Sequence, residues 1–263
     1  SYSILRCGRQ HSEQVIDVFL LFDVDDQDAV QEAITRANVL FSAVGAAHLG
    51  SLGTTLSPAM SAALAARDQP VNLLLFENSA DGHETIRETL SLDPTITPKL
   101  GIVPCLVDRM VTDLTPGSLD LLACEWDRSQ YDRPRVVGIL PDIPALMGHD
   151  HLALMRRVKV FVTNMPQAAA SALGYVRGYE GVGRAIRDPE LRESGEGAGA
   201  EVFSAMEVSP EFRNIDLADA RAYSQQFRDY YAAPENTDTI HRILADPIRK
   251  LQPAERLLGP ALL

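Results

Sequence analysis

The sequence predicts an α/β protein: a parallel-sheet domain followed by a mainly α-helical one. Three observations carry that expectation. Apolar runs of strand length alternate with helix-forming segments through the first third of the chain. Two prolines then interrupt it at "SLDPTITPK", 91–99, and helix formers dominate from residue 150 onward. The chain is 263 residues long with 46% hydrophobic and 23% charged residues, the balance of a globular protein able to bury a sizeable core.

The elements follow in order. "VIDVFLLF", 15–22, is apolar and β-branched and reads as a strand. "DVDDQDAVQEAITRA", 23–37, opens with acidic residues and continues with helix formers, so a helix is expected. "NVLFSAVG", 38–45, is a short apolar run ended by glycine, which suits a buried parallel strand. "TTLSPAMSAALAAR", 54–67, reads as a helix with Pro58 in or near its first turn, where proline is tolerated. "VNLLLFEN", 71–78, is another buried strand, ending in polar residues. Strands and helices alternating at this spacing imply a parallel sheet, whose ligands gather at the carboxyl ends of the strands. Gly45 and Asn78 fall at such ends.

Beyond the two prolines, "LGIVPCLVDRMV" (100–111) and "LDLLACEWD" (119–127) are strand-like, and "LPDIPALMG" (140–148) reads as a proline-rich turn. The boundary set by 91–99 gives domains 1–95 and 96–263. The glycine clusters "GYEGVG" (178–183) and "GEGAGA" (195–200) follow no buried strand, so loops or helix breaks are expected there.

Composition removes several function classes. The 24 Lys+Arg against 36 Asp+Glu give a net charge of −12, and without a basic patch nucleic-acid binding is not expected. No apolar run approaches the roughly 20 residues of a membrane span, and the start is no secretory signal. Cys7, Cys105 and Cys124 lack metal or CxxC spacing and read as reduced thiols, so a cytoplasmic location and no metal site are expected.

One segment carries chemistry. "RRVKVFVTNMPQAAASALGY", 156–175, places Lys159 inside an apolar run, with Asn164 five and Gln167 eight residues later. On a helix, Thr163, Gln167 and Asn164 share one side with Lys159, although Asn164 lies about 140° round from it. Pro166 should kink that helix. A solvated polar stripe and a cleft-lining helix with a general base both fit, and spacing does not choose between them.

Several segments read together do choose. "SAVGAAHLGSLGTTLSPAM" (42–60), "FENSADGHETIRETL" (76–90), "VPCLVDRMV" (103–111), "RRVKVFVTN" (156–164) and "DPIRKLQPAERLLGPAL" (246–262) occur in that order. The series resembles the polyol-specific long-chain dehydrogenase/reductases, the mannitol dehydrogenase family, along nearly the whole chain. The resemblance implies a partial Rossmann-type parallel-sheet domain followed by a mainly helical substrate domain. It also implies metal-independent hydride transfer between a nicotinamide cofactor and a polyol, polyol phosphate or related sugar acid. NAD is expected, with NADP left open, and a monomer is favoured.

Carried over by position, Lys159 matches the general acid/base, and Asn164 and Asn78 match the asparagines that orient the reacting oxygen. Asp108 matches a substrate-pocket acid, and Gln167 stands where the family has a substrate-binding histidine. Ala43, Val44, Gly45 and Asn78 match the strand ends that pass the cofactor. A lysine at its ordinary pKa, ~10.4, is mostly protonated at neutral pH, so burial must lower it for this role. Two amides can donate to a developing alkoxide without adding charge. Arg249 and Lys250 in "DPIRKL" are expected to be structural. The resemblance enters mid-domain at Ser1, so the family's first strand and glycine-rich turn precede this sequence. With Gln167, that prompts an alternative: a catalytically degenerate paralogue acting as a ligand-binding or interaction protein.

Overall fold

A computed structural model describes residues 2–7, 12–17, 19–113, 119–124, 128–253 and 255–263. The chain opens with β1 (Tyr2–Cys7), β2 (Ser12–Ile16), α1 (Gln27–Arg36), β3 (Val39–Ser42), α2 (Leu49–Ala66), β4 (Val71–Leu75) and α3 (Gly82–Thr89). Then come β5 (Leu100–Leu106), β6 (Val111–Asp113), β7 (Leu121–Cys124), β8 (Ser129–Asp132) and β9 (Leu146–His149). Helices finish it: α4 (Leu152–Lys159), a π-turn (Val160–Asn164), α5 (Met165–Val176), α6 (Val182–Arg187), α7 (Pro189–Val208), α8 (Leu217–Ala232), α9 (Ile240–Leu244) and α10 (Pro247–Lys250). Among the described residues, no helix is long and apolar enough to cross a membrane.

The chain forms two compact units: Ser1–Val18 with Arg109–Asp127 and Leu154–Leu263, and Phe19–Asp108 with Arg128–Ala153. The second unit holds a five-stranded sheet in the order β3-β4-β5-β8-β9. Strands β3, β4 and β5 run parallel, as their apolar runs predict. On one face Val71, Leu73 and Leu75 meet Leu49, Met60 and Leu64 of α2 and Ile86 of α3; on the other lie Leu74, Val103 and Cys105. The segment 91–99, where the domain boundary was expected, lies inside this unit, and β5 beyond it pairs with β4 from Val71↔Leu100 to Leu75↔Pro104. Buried Asn72 ties the sheet to the loop after β8, donating to the Val137 carbonyl at 3.0 Å and accepting from its N–H at 2.9 Å. A side chain at Gly101 would collide with that amide.

The first unit pairs a four-stranded sheet, β2-β1-β7-β6, with the helices α4 to α10. Strand β1 is antiparallel to β2 and parallel to β7. Its core is aromatic, with Phe161, Phe203, Phe212, Phe227, Tyr230 and Tyr231 buried together.

Four expectations are corrected here. The strand expected over 15–22 ends at Ile16, because β1 offers no partner beyond Tyr2↔Ile16; Leu20 and Leu21 stand 82% and 85% exposed. Helix α2 starts at Leu49, five residues early, so Pro58 sits mid-helix. Pro58 gives no N–H to the Thr54 carbonyl, and the Gln27 amide braces the next rung, donating to the Thr55 carbonyl at 3.0 Å and accepting from the Ala59 N–H at 3.2 Å. The "GEGAGA" cluster lies within α7, where Gly195 and Gly199, one turn apart, are buried beside Pro166 of α5. Asp188 caps that helix, accepting from Glu190 N–H and Leu191 N–H, with Pro189 at its first position. The proline-rich stretch 140–148 is not all turn, since its end forms β9. "GYEGVG" does break the chain, with Gly178 at φ 75° and α6 starting at Val182.

Candidate active site

The helix expected across 156–170 is broken into α4, the π-turn and α5, and the break is what matters chemically. In an α-helix each N–H bonds the carbonyl four residues back. Pro166 has no N–H to give to Val162, so that carbonyl needs another donor. Ser224 of α8 supplies it, donating its hydroxyl at 2.6 Å in a fully buried bond. Thr163 donates likewise to the Lys159 carbonyl at 2.6 Å. The backbone responds by widening its turn, and the Met165 N–H bonds the Val160 carbonyl five residues back.

That register changes which side chains share a face. Residues five apart on an α-helix stand about 140° apart. Where the bonds run five residues back, they stack one turn above another. The π-turn thus narrows the angle between positions 159 and 164 relative to the α-helical wheel. Lys159 is 8% exposed and Asn164 half-buried, and Asn164 accepts from the Thr163 hydroxyl at 3.1 Å. Sequence reasoning marked Lys159 and Asn164 but missed Thr163 and Ser224. Pro166 was the available signal: a helical proline always leaves a carbonyl to be satisfied.

Gln167 is buried and lines a small cavity together with Tyr231 of α8, whose hydroxyl donates to the Met110 Sδ at 3.6 Å. Burial and then the charge of Asp238 push the Tyr231 phenol up, so it stays protonated at neutral pH. The Gln167 Nε2 has no partner. It lies beside a cavity of about 30 Å³ lined also by Val162, Ser224, Phe227 and Tyr231, but by neither Lys159 nor Asn164. A cavity that small holds a water, not a substrate, for which roughly 300 Å³ or more is usual.

In the second unit the carboxyl ends of β3 and β4 meet. The stretch Ala43, Val44 and Gly45 is exposed, and Gly45 takes φ 87°, a conformation glycine reaches at no steric cost. The chain then enters a short 3₁₀ turn and α2, whose first turn has no side-chain cap. After β4, Glu77 turns inward, 4% exposed, and Asn78 outward, exposed. Asp108 is buried, 1% exposed, at the end of this unit. Lys159, Asn164 and Gln167 belong to the first unit, and Asn78, Asp108 and residues 43–45 to the second. Among the described residues no group of three His, Cys, Asp or Glu side chains could hold a metal ion.

The "DPIRKL" residues are engaged structurally. Buried Lys250 donates to the Ile243 carbonyl at 2.8 Å and to that of Ala245, closing the end of α9. Arg249 pairs with Asp246 at 2.7 Å and Glu255 at 2.6 Å.

No family model matches the chain. Its sequence is similar to mannitol-1-phosphate 5-dehydrogenases. That of Anoxybacillus flavithermus is 27% identical over 273 residues, covering 99% of this chain and 70% of the relative. That of Brevibacillus brevis is 28% identical over 261 residues, covering 95% and 66%. In fold, the chain is similar to a D-sorbitol dehydrogenase in substrate-free form, with TM-score 0.74 and 15% identity over 99% of this chain and 64% of that one. It is also similar to Pseudomonas fluorescens mannitol 2-dehydrogenase in a ternary complex with NAD and D-mannitol, with TM-score 0.61, 14% identity, and 92% and 59% covered. Along nearly its whole length this chain is thus similar in sequence to mannitol-1-phosphate 5-dehydrogenases, of which it spans about two thirds.

Proposed function

We propose that the chain carries the catalytic lysine of an NAD-dependent oxidoreductase that oxidises a secondary alcohol of a polyol or polyol phosphate. The observation that carries the reading is buried Lys159 at the start of a π-turn that ends at Asn164. Alcohol oxidation needs a base for the hydroxyl proton, and Lys159 has the burial that such a lysine requires. Asn164 donates a hydrogen bond to the alkoxide oxygen without adding charge, and Asn78 is assigned the second such bond. Asp108 is assigned to a substrate hydroxyl. Mannitol-1-phosphate is the preferred candidate substrate, because the curated relatives bear that name.

The residues at the carboxyl ends of β3 and β4 fit a nicotinamide cofactor. Ala43, Val44 and Gly45 are small or exposed, so a flat ring can approach their backbone closely. When bound, the nicotinamide accepts the hydride from the carbinol carbon. Cys105 and Cys124, both buried and in no disulfide, fit a reducing cytoplasm, and a monomer is the assembly we assign.

NADH formation with mannitol-1-phosphate, mannitol and a hexuronate, compared with Lys159→Ala, tests the reading. Loss of a positioned acid/base lowers turnover by ~10²–10⁴. Turnover that survives the substitution unchanged removes the lysine from the mechanism. One observation favours a second reading: Gln167, buried against Tyr231, can donate a hydrogen bond but cannot titrate. A binding paralogue would take up polyol and NADH in calorimetry without turnover.

A further inference from the structure

The side chain of Glu77 does work that the reaction as proposed does not call on. It is 4% exposed at the end of β4, between exposed Asn78 and half-buried Phe76. One carboxylate oxygen, Oε1, takes two hydrogen bonds from the neighbouring strand end: the Ser42 hydroxyl at 2.6 Å and the Val44 N–H at 3.0 Å. These donors flank Ala43. The Phe76 N–H donates to the Ser42 carbonyl at 2.8 Å, so the two strand ends are joined just before the chain turns outward.

The Val44 N–H lies past the last rung of β3 with β4, Ser42↔Leu75, so the ladder no longer serves it. Glu77 gives that N–H an acceptor and fixes the direction in which Ala43 and Val44 leave the sheet. The same side chain is felt on β5, where burial and then the Glu77 charge push the Cys105 thiol up to about 12. The other oxygen, Oε2, is buried with no partner. An amide in place of the carboxylate would therefore forfeit no bond.

We infer that Glu77 is a positioning residue: through Ser42 and Val44 it holds the loop 43–45 in the shape that receives the cofactor. The inference rests on the cofactor reading above. It predicts a split between constants. Glu77→Ala raises the KM and Kd for NAD at least tenfold and leaves kcat at saturating NAD within threefold. Glu77→Gln, whose amide oxygen accepts both bonds, stays within threefold of the parent on all three. Ser42→Ala, which removes one bond, raises the KM two- to fivefold and serves in place of Glu77→Ala if that variant does not fold.

Hydrogen–deuterium exchange across residues 42–46 without cofactor reads the clamp directly, and the Val44 amide should exchange at least tenfold faster in Glu77→Ala but not in Glu77→Gln. A parent chain that binds no NAD brings down the cofactor reading and this role with it. A parent that binds NAD while Glu77→Ala binds it equally well brings down the clamp alone. Exchange at Val44 that does not respond to Glu77→Ala overturns it whatever the cofactor does. Glu77→Gln behaving like Glu77→Ala overturns it too, because charge and not the two bonds would then be the cause.

Discussion

Two helices of this chain carry an internal proline, and they accommodate it in different ways. In α2, Pro58 is bridged by the Gln27 amide, which gives to Thr55 and takes from Ala59, and the helix continues in α-helical register to Ala66. Before α5, Pro166 leaves the Val162 carbonyl to the Ser224 hydroxyl, which donates to it and accepts from Arg228 on its own helix. The register there slips by one residue into the π-turn. The Gln27 amide reaches both a carbonyl and an N–H of α2, whereas within the turn Ser224 reaches only the Val162 carbonyl, and the following Met165 N–H bonds the more distant Val160 carbonyl. The first helix keeps its register, whereas the second changes the spacing between positions 159 and 164.

The predictions grade that contrast. Asn164→Ala should cost most after the lysine itself: removing one alkoxide donor lowers kcat by ~10²–10³. Thermal unfolding should change little, since Asn164 is only half-buried. A kcat within a factor of three of the parent would take Asn164 out of the mechanism. Ser224→Ala should act on both properties. It strands a buried carbonyl at a cost of about 1–3 kcal/mol and loosens the π-turn, so the melting temperature and kcat fall together. Ser224→Thr, which keeps the hydroxyl, should recover much of the kcat. A stable, fully active Ser224→Ala would separate the π-turn from the chemistry.

Gln27→Ala removes the repair in α2 and should cost about 1 kcal/mol in denaturant melts with kinetic constants unchanged. A kinetic effect as large as that of Ser224→Ala would abolish the distinction between the two helices. Smallest in effect, Gln167→Leu removes the buried, partnerless Nε2, so stability should shift by less than about 1 kcal/mol. A fall in kcat beyond tenfold would place the Gln167 amide on the substrate.

The legible parts of the fold were those whose cause is local. Strands β4 and β5 announce themselves as apolar runs because both are buried throughout, whereas β3, expected to be buried, leaves Phe41 53% exposed. Helix α1 is announced by its acidic start, and Asp26 indeed caps it, accepting from the Ala29 N–H at 3.1 Å. What stayed hidden depends on distant partners. "VIDVFLLF" has strand composition throughout, but only pairing decides where a strand ends, and the partner of Ile16 is Tyr2. Glycines at 195 and 199 read as breakers until Pro166 is seen beside them. At the site, Lys159 and Asn164 were readable from family order, and Pro166 as a kink. The donor that shapes the kink, Ser224, lies 62 residues from Val162 in sequence. Glu77 was visible in the "EN" pair, but its use follows only from asking where the Val44 N–H goes.

The first unit is assembled from three stretches of sequence, and its sheet joins β1 to β7 with Ile4 opposite Leu121 and Ser3 N–H bound to Asp120 at 2.7 Å. During synthesis at about 5–20 residues per second, β1 must wait roughly 6–23 s for the strand that completes its ladder. Its early hairpin with β2 therefore remains an unfinished edge while the intervening polypeptide emerges, a window in which a chaperone or a wrong neighbour can capture it.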